Sequence, residues 1–297
     1  MLYIEPAAGV APVVRFIETA RHPVDIEVYY LSSRAVLEAI ARDHARGIAV
    51  RVIVDGKPYR LARDLVAREV ARIRAAGAVV RFAPARFEGD YRFDHAKYAV
   101  SGHQVLIGTA NWDYSAFHRN REYFYTSDDP NLSLALGRVF TADWSGSRAG
   151  SRTRNLSRRL VLSPGAEPKL AAIIGQPGAV DIDAEELGDD PALLQAIERK
   201  GENARLILPA RLSRTDRAIV AALRRSGVQV RLLPVRPLYL HAKMIVGQSY
   251  GFIGSENVSR SSLESNREVG VVMTAPGHLA ALRNSFAYDW NHGDELR

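Results

Sequence analysis

Cysteine is absent from the 297 residues, so disulfides and thiolate-ligated metal centres are excluded, while the redox compartment stays open. No apolar run approaches the roughly 18 residues that a membrane-spanning helix needs. The opening MLYIEPAAGVAPVVRFI places an acid and prolines where a secretory leader requires an unbroken apolar core. As given, the chain reads as cytoplasmic. A chain from which a leader had been removed would read the same, so a secreted or periplasmic location fits equally.

What is present is an ordinary globular composition, 47% hydrophobic and 25% charged, long enough for two domains that each bury a core. Net charge is +7, which favours an anionic partner such as nucleic acid or an acidic lipid surface. Many of the arginines, among them Arg34, Arg42, Arg63, Arg68 and Arg72, fall on the polar faces of helical patterns and read equally well as solvated surface.

Apolar periodicity alternates between strand and helix. VDIEVYYLS reads as a strand, Arg34 to Arg46 as a helix closed by Gly47, IAVRVIVDG as a buried strand, and Leu61 to Ala76 as a helix closed by Gly77. The order predicts an α/β fold. The series then recurs: AVDIDAEEL, a helix near Pro191 to Lys200, ARLILP, a helix from Thr215 to Arg225 before Gly227, and VQVRLLP. Between the series lies a polar, glycine-bearing stretch with no apolar period. The expected organisation is an N-terminal repeat over 1–146, a linker over 147–159 and a C-terminal repeat over 160–297.

The repeat is sharpest in HAKYAVSGHQVLIGTAN, from His95, and HAKMIVGQSYGFIGSEN, from His241. One ungapped offset superposes His95 on His241, Lys97 on Lys243, Asn111 on Asn257, Asn120 on Asn266, Arg121 on Arg267, Glu122 on Glu268 and Asp143 on Asp289, with Thr109 opposite Ser255. A repeated fold needs its apolar period and its glycines; it has no need of a repeated histidine. The retained polar set therefore points to shared chemistry. On a strand, His95 and Lys97 project to one face about 7 Å apart, close enough to meet one phosphate. SGHQ reads as the turn of a hairpin whose returning strand brings Thr109 and Asn111 alongside.

The pattern H-x-K, then G-[ST]-x-N, then N-x-E resembles the phospholipase D superfamily, whose HKD motif occurs twice. The resemblance implies two similar halves, each a mixed β-sheet flanked by helices, related by a pseudo-two-fold axis, with both motifs meeting at one cleft. It also implies cleavage of a phosphodiester through a covalent phosphohistidine, with no cofactor and no metal, in a site complete within one chain. The motif aspartate is missing twice: Gly102 and Gln248 stand in its place. Both positions fall in hairpin turns, where glycine supplies the positive φ of the turn in another way. The tyrosyl-DNA phosphodiesterase branch is similar in lacking this residue.

On that resemblance one of His95 and His241 attacks phosphorus, with two-motif bacterial enzymes favouring His95, and the other protonates the leaving oxygen. Glu122 and Glu268 accept the other imidazole N–H, or alternatively pair with Arg121 and Arg267. Lys97, Lys243, Asn111, Asn257, Thr109 and Ser255 bind the non-bridging oxygens. The leading substrate is nucleic acid, because each half is near the minimum size for the fold and leaves the cleft uncovered. Tyr91, Phe93, Trp112, Tyr114 and Phe117 are candidate base-stacking residues or core. A phospholipid enzyme, whether a hydrolase or a cardiolipin synthase-type phosphatidyltransferase, is the alternative. A catalytically degenerate phosphate-binding module is the third reading.

Overall fold

The structure is a computed structural model and describes residues 1–295. Strands of the first lobe are β1 (Leu2–Ile4), β2 (Val24–Val28), β3 (Val50–Val54), β4 (Val79–Phe82), β5 (Lys97–Ser101), β6 (Gln104–Gly108), β7 (Asn120–Arg121) and β8 (Tyr123–Ser127). Its helices are α1 (Ala11–Glu18), α2 (Arg34–Ala45), α3 (Arg63–Ala75), α4 (Tyr114–His118) and α5 (Pro130–Trp144). A short α6 (Ser151–Arg154) lies inside the stretch expected to be a plain linker. The second lobe holds β9 (Leu160–Ser163), β10 (Val180–Ala184), β11 (Ala204–Pro209), β12 (Gln229–Leu233), β13 (Tyr239–Leu240), β14 (Lys243–Val246), β15 (Gly251–Gly254), β16 (Glu268–Met273) and β17 (Asp294–Glu295). Its helices are α7 (Glu167–Ile174), α8 (Pro191–Lys200), α9 (Arg214–Arg225), α10 (Arg260–Glu264) and α11 (Pro276–His292).

Strand order makes the duplication explicit. One sheet runs β1-β8-β6-β5-β2-β3-β4; the other runs β9-β16-β15-β14-β10-β11-β12, with β17 added at its edge. In each, β2–β3–β4 and β10–β11–β12 are parallel, and the histidine-bearing hairpin joins antiparallel, through β5 on β2 and β14 on β10. The inner parallel strands β2, β3, β10 and β11 are almost wholly buried because helices cover their outer faces, whereas the outer strands β4 and β12 are more exposed. Helix ends follow the sequence signals: Asp129 and Asp190 cap α5 and α8 ahead of a first-turn proline, Ser213 and Asp216 form a capping box on α9, and Gly47, Gly77 and Gly227 take positive φ beyond α2, α3 and α9.

Two apolar clusters lie under the outer helices, one per lobe, and a third joins the lobes. That central core is built from the inner sheet faces and from α5 and α11, with Tyr98, Ile107 and Phe140 of one lobe meeting Met244, Val269 and Phe286 of the other. Buried charge also spans the seam. Arg121 forks onto Asp289 of α11 at 2.5 and 2.8 Å, and Arg267 forks onto Asp143 of α5 at 2.7 and 3.1 Å. Two of the repeated polar types are thus explained by assembly, since Arg121/Arg267 and Asp143/Asp289 clamp the lobes and removing one partner of such a buried pair costs about 3–5 kcal/mol. Asn120 and Asn266 instead donate to Glu122 and Glu268 within their own lobes.

Candidate active site

The clamp exchanges strands at the seam. Short β7 pairs in parallel with β13, so that Arg121 lies opposite Leu240, and Asp94 bridges Arg267 in the mirror arrangement. The segment that leads into each histidine is therefore laid against the N-R-E segment of the other lobe. As a result, each motif glutamate serves the opposite histidine. Glu268 Oε2 lies 3.0 Å from His95 Nδ1, and Glu122 Oε1 lies 2.6 Å from His241 Nδ1. The first contact is a well-formed hydrogen bond; the second is shorter yet lies off the line of an N–H···O bond. Both glutamates are fully buried and held: Glu122 accepts from Thr109 at 2.5 Å, and Glu268 from Ser262 at 2.8 Å and Asn266 at 2.9 Å. Fixing Nδ1 leaves Nε2 of each ring for chemistry.

His95, His241, Asn111 and Asn257 line one cleft of about 420 Å³ between the lobes, and the side-chain oxygens of both asparagines have no protein partner. Lys97 and Lys243 are buried behind the lining residues Tyr29 and Glu185, each donating to the backbone carbonyl of its own histidine, at 2.6 and 2.7 Å. Burial lowers the Lys97 ammonium to about 7, and burial followed by the Lys97 charge holds His95 below its ordinary value. Glu122 and Glu268 do not pair with Arg121 and Arg267, which are committed to the clamp.

Thr109 and Ser255, expected to bind substrate, do not reach the cleft. Both are fully buried. The backbone at Thr109 is still paired, its amide donating to the Tyr123 carbonyl at 3.0 Å, so the side chain is held inside the sheet by its own hydrogen bonds. The Thr109 hydroxyl instead accepts the Tyr123 amide at 2.9 Å and donates to Glu122, while Ser255 accepts the Val269 amide at 2.9 Å. Among the candidate stacking residues, Tyr91 and Phe93 line the cleft, whereas Trp112 and Phe117 are core, and Tyr114 stacks on His118 at 4.2 Å and is absent from the cleft wall. Gly102 has φ +56°, the left-handed turn conformation expected for it.

Sequence reading missed two residues, at equivalent strand ends. Tyr29 follows β2 and Glu185 follows β10, and both line the cleft. The Tyr29 ring meets His95 edge-on at 4.8 Å and lies 5.2 Å from the Lys97 ammonium. Glu185 places Oε1 3.4 Å from His241 Nε2 and Oε2 against Lys243. Burial alone would raise the Glu185 carboxyl, but the charges of His241 and Lys243 outweigh it and bring it to about 2. Superposing VDIEVYY on VDIDAEE marks both positions, and in open α/β sheets the carboxyl ends of strands are where ligands bind.

A family model described as "Cardiolipin synthase, PLD-like domain" matches residues 13–144 and 188–290, most of both lobes. The chain belongs to the phospholipase D-like family. The phospholipase D-like fold is seen as well in phosphatidylserine synthase from Haemophilus influenzae, whose structure superposes with a TM-score of 0.71 at 13% identity over 99% of this chain and 87% of that one. Among curated relatives, a mitochondrial cardiolipin hydrolase of Xenopus laevis is 30% identical over 126 residues, 42% of this chain and 56% of that protein. The human 5'-3' exonuclease PLD3 is 36% identical over 84 residues, 27% of this chain and 17% of that one. This phospholipase D-like chain spans about half the length of the cardiolipin hydrolases it matches.

Proposed function

We propose that the chain is a phosphodiesterase that uses two histidines, one per lobe, and forms a covalent phosphohistidine without a metal. The carrying observation is the crossed pair of imidazole–glutamate contacts, with both imidazoles lining one cleft. His95 is the nucleophile, because burial favours its neutral form and its cleft neighbour is an aromatic ring. His241 is the acid, with a carboxylate beside each of its ring nitrogens. The His95 Nε2 lone pair forms an N–P bond as the P–O bond to the leaving group breaks, and that oxygen takes the Nε2 proton of His241. Water then gives a proton to His241 as its oxygen attacks phosphorus and the N–P bond breaks, which restores both rings. Lys97, Lys243, Asn111 and Asn257 hold the non-bridging oxygens through the transition state. Glu185 is bound tightly by Lys243 and only loosely by His241, so the leaving oxygen can displace the second contact while the carboxylate stays anchored.

Nucleic acid is the leading substrate. Tyr59 and Tyr91 stand 52% and 69% exposed at the mouth of the cleft, and Phe93 and Tyr29 continue inward to His95, with successive ring centroids 6.0–6.4 Å apart. Such a stair presents faces on which bases stack at about 1–3 kcal/mol each. The cardiolipin-related family description and relatives support the second reading, a phospholipid diester. EDTA-treated protein incubated with single-stranded DNA, duplex DNA, RNA, cardiolipin vesicles and bis(p-nitrophenyl) phosphate decides between them. Cleavage of the aryl diester and a single strand is the expected result; cleavage of lipid alone ends the nuclease reading, and binding without cleavage of any of them ends the enzymatic one.

A further inference from the structure

Beside the catalytic cleft lies a second cavity, of about 360 Å³, lined by Arg86, Arg92, Arg148, Arg154 and Arg267, with Glu264 the one carboxylate in its wall. Arg86 and Arg267 share a single acid, Asp143. Arg154, half-buried, spends its nitrogens on the neutral carbonyls of Leu162 and Pro164, at 2.7 and 2.6 Å. Arg92 donates to the Glu88 carbonyl, and Arg148 is exposed. Among the described residues, three guanidinium groups therefore converge with no carboxylate partner. Burial, then repulsion from Arg267, weakens the hold of Arg154 on its proton, as expected of cations gathered without a counter-charge.

The cavity shares a wall with the active site. Tyr91 and Phe93 face the cleft while Arg92 between them faces the arginines; Asn266 lines the cleft while Ser265 lines the cavity. The two segments are tied together, Phe93 accepting the Arg267 amide at 3.0 Å and donating its own amide to Asn266 at 2.9 Å. A polyanion lying across this ridge would have one phosphate between the histidines and another among the arginines.

Resting on the phosphodiesterase reading, we propose that this cavity seats a second phosphate of the same single nucleic-acid strand whose scissile phosphate lies between His95 and His241, so that the preferred substrate is a strand several phosphates long. Guanidinium groups suit this task, since their planar fork matches phosphate oxygens in pairs. The test is an Arg92→Ala/Arg148→Ala double variant, which leaves every cleft group in place, assayed on a twelve-nucleotide single strand, on bis(p-nitrophenyl) phosphate and on cardiolipin vesicles. For the oligonucleotide, kcat/KM should fall by about 10- to 100-fold and its salt dependence should flatten by about 0.7 in log–log slope for each phosphate that the variant no longer neutralises. For the aryl diester it should stay within about twofold. An oligonucleotide rate that falls no more than the aryl rate overturns the second seat, as does a loss confined to lipid turnover. An inactive wild type on the aryl diester instead refutes the phosphodiesterase reading, and anisotropy of a labelled oligonucleotide then tests the seat alone, with unchanged affinity in the double variant counting against it.

Discussion

The two half-sites are built from the same strands and differ at one strand end. In the first lobe His95 and Lys97 face the Tyr29 ring; in the second His241 and Lys243 face the Glu185 carboxylate. An aromatic ring excludes water without adding charge, so burial dominates and the lysine beside it falls to about 7. A carboxylate keeps its lysine paired and adds a second acceptor beside the imidazole. In the proposed mechanism this difference is what gives the two duplicated histidines unequal tasks. The shared scaffold carries the rest, since each Nδ1 meets a glutamate from the opposite lobe.

The largest effects should come from removing the histidines themselves. His95→Ala and His241→Ala are each expected to lower steady-state turnover by about 10⁴-fold or more, measured on an oligonucleotide. If either variant keeps full activity, the lobes do not share one phosphorus. Glu185→Gln should sharpen the contrast through leaving groups. It should slow release of an alkoxide by about 10²-fold yet leave p-nitrophenolate release nearly unchanged, because a good leaving group needs no proton. Equal loss on both would make Glu185 structural, and a gain would make it a competitor for the phosphate seat. Glu185→Asp should recover part of the alkoxide rate.

Smaller effects test the first lobe's aromatic character. The Lys97 cation is present below about pH 7 and is lost above it, so KM for the aryl diester should rise as pH climbs through that value, and Lys97→Arg should flatten the rise. Tyr91→Ala should raise KM for a single strand by about 5- to 100-fold with little change on the aryl diester. The smallest change in rate is expected for Gly102→Asp, which restores the family aspartate in the turn. Turnover should be unaffected, while thermal unfolding should show a loss of about 1 kcal/mol, since an aspartate at φ +56° would crowd the movable ring of His22.

Much of this was legible in the chain. Continuous apolar strands, glycines at helix ends and a single offset located both lobes and the strands that begin at Lys97 and Lys243, though each histidine lies in the segment just before its strand rather than on it. What escaped reading was whatever depends on exchange between lobes. An offset pairs Glu122 with Glu268 but is silent on which histidine each meets, and only the β7·β13 crossing decides it. The same crossing turns Arg121 and Arg267 from candidate partners of the glutamates into clamps. Thr109 was misplaced because its hydroxyl is spent inside, on the Glu122 carboxylate and the Tyr123 amide, which no spacing announces. Tyr29 and Glu185 were invisible to a search for repeated residues, being the place where the repeat is broken.

Incubation of His241→Ala with bis(p-nitrophenyl) phosphate, followed by mapping of the phosphorylated residue, tests the division of labour most directly. A two-histidine mechanism requires a burst of one equivalent of p-nitrophenolate and a stable aryl phosphate on His95. Phosphate recovered on any other residue, or continuous turnover with no trapped adduct, would contradict it.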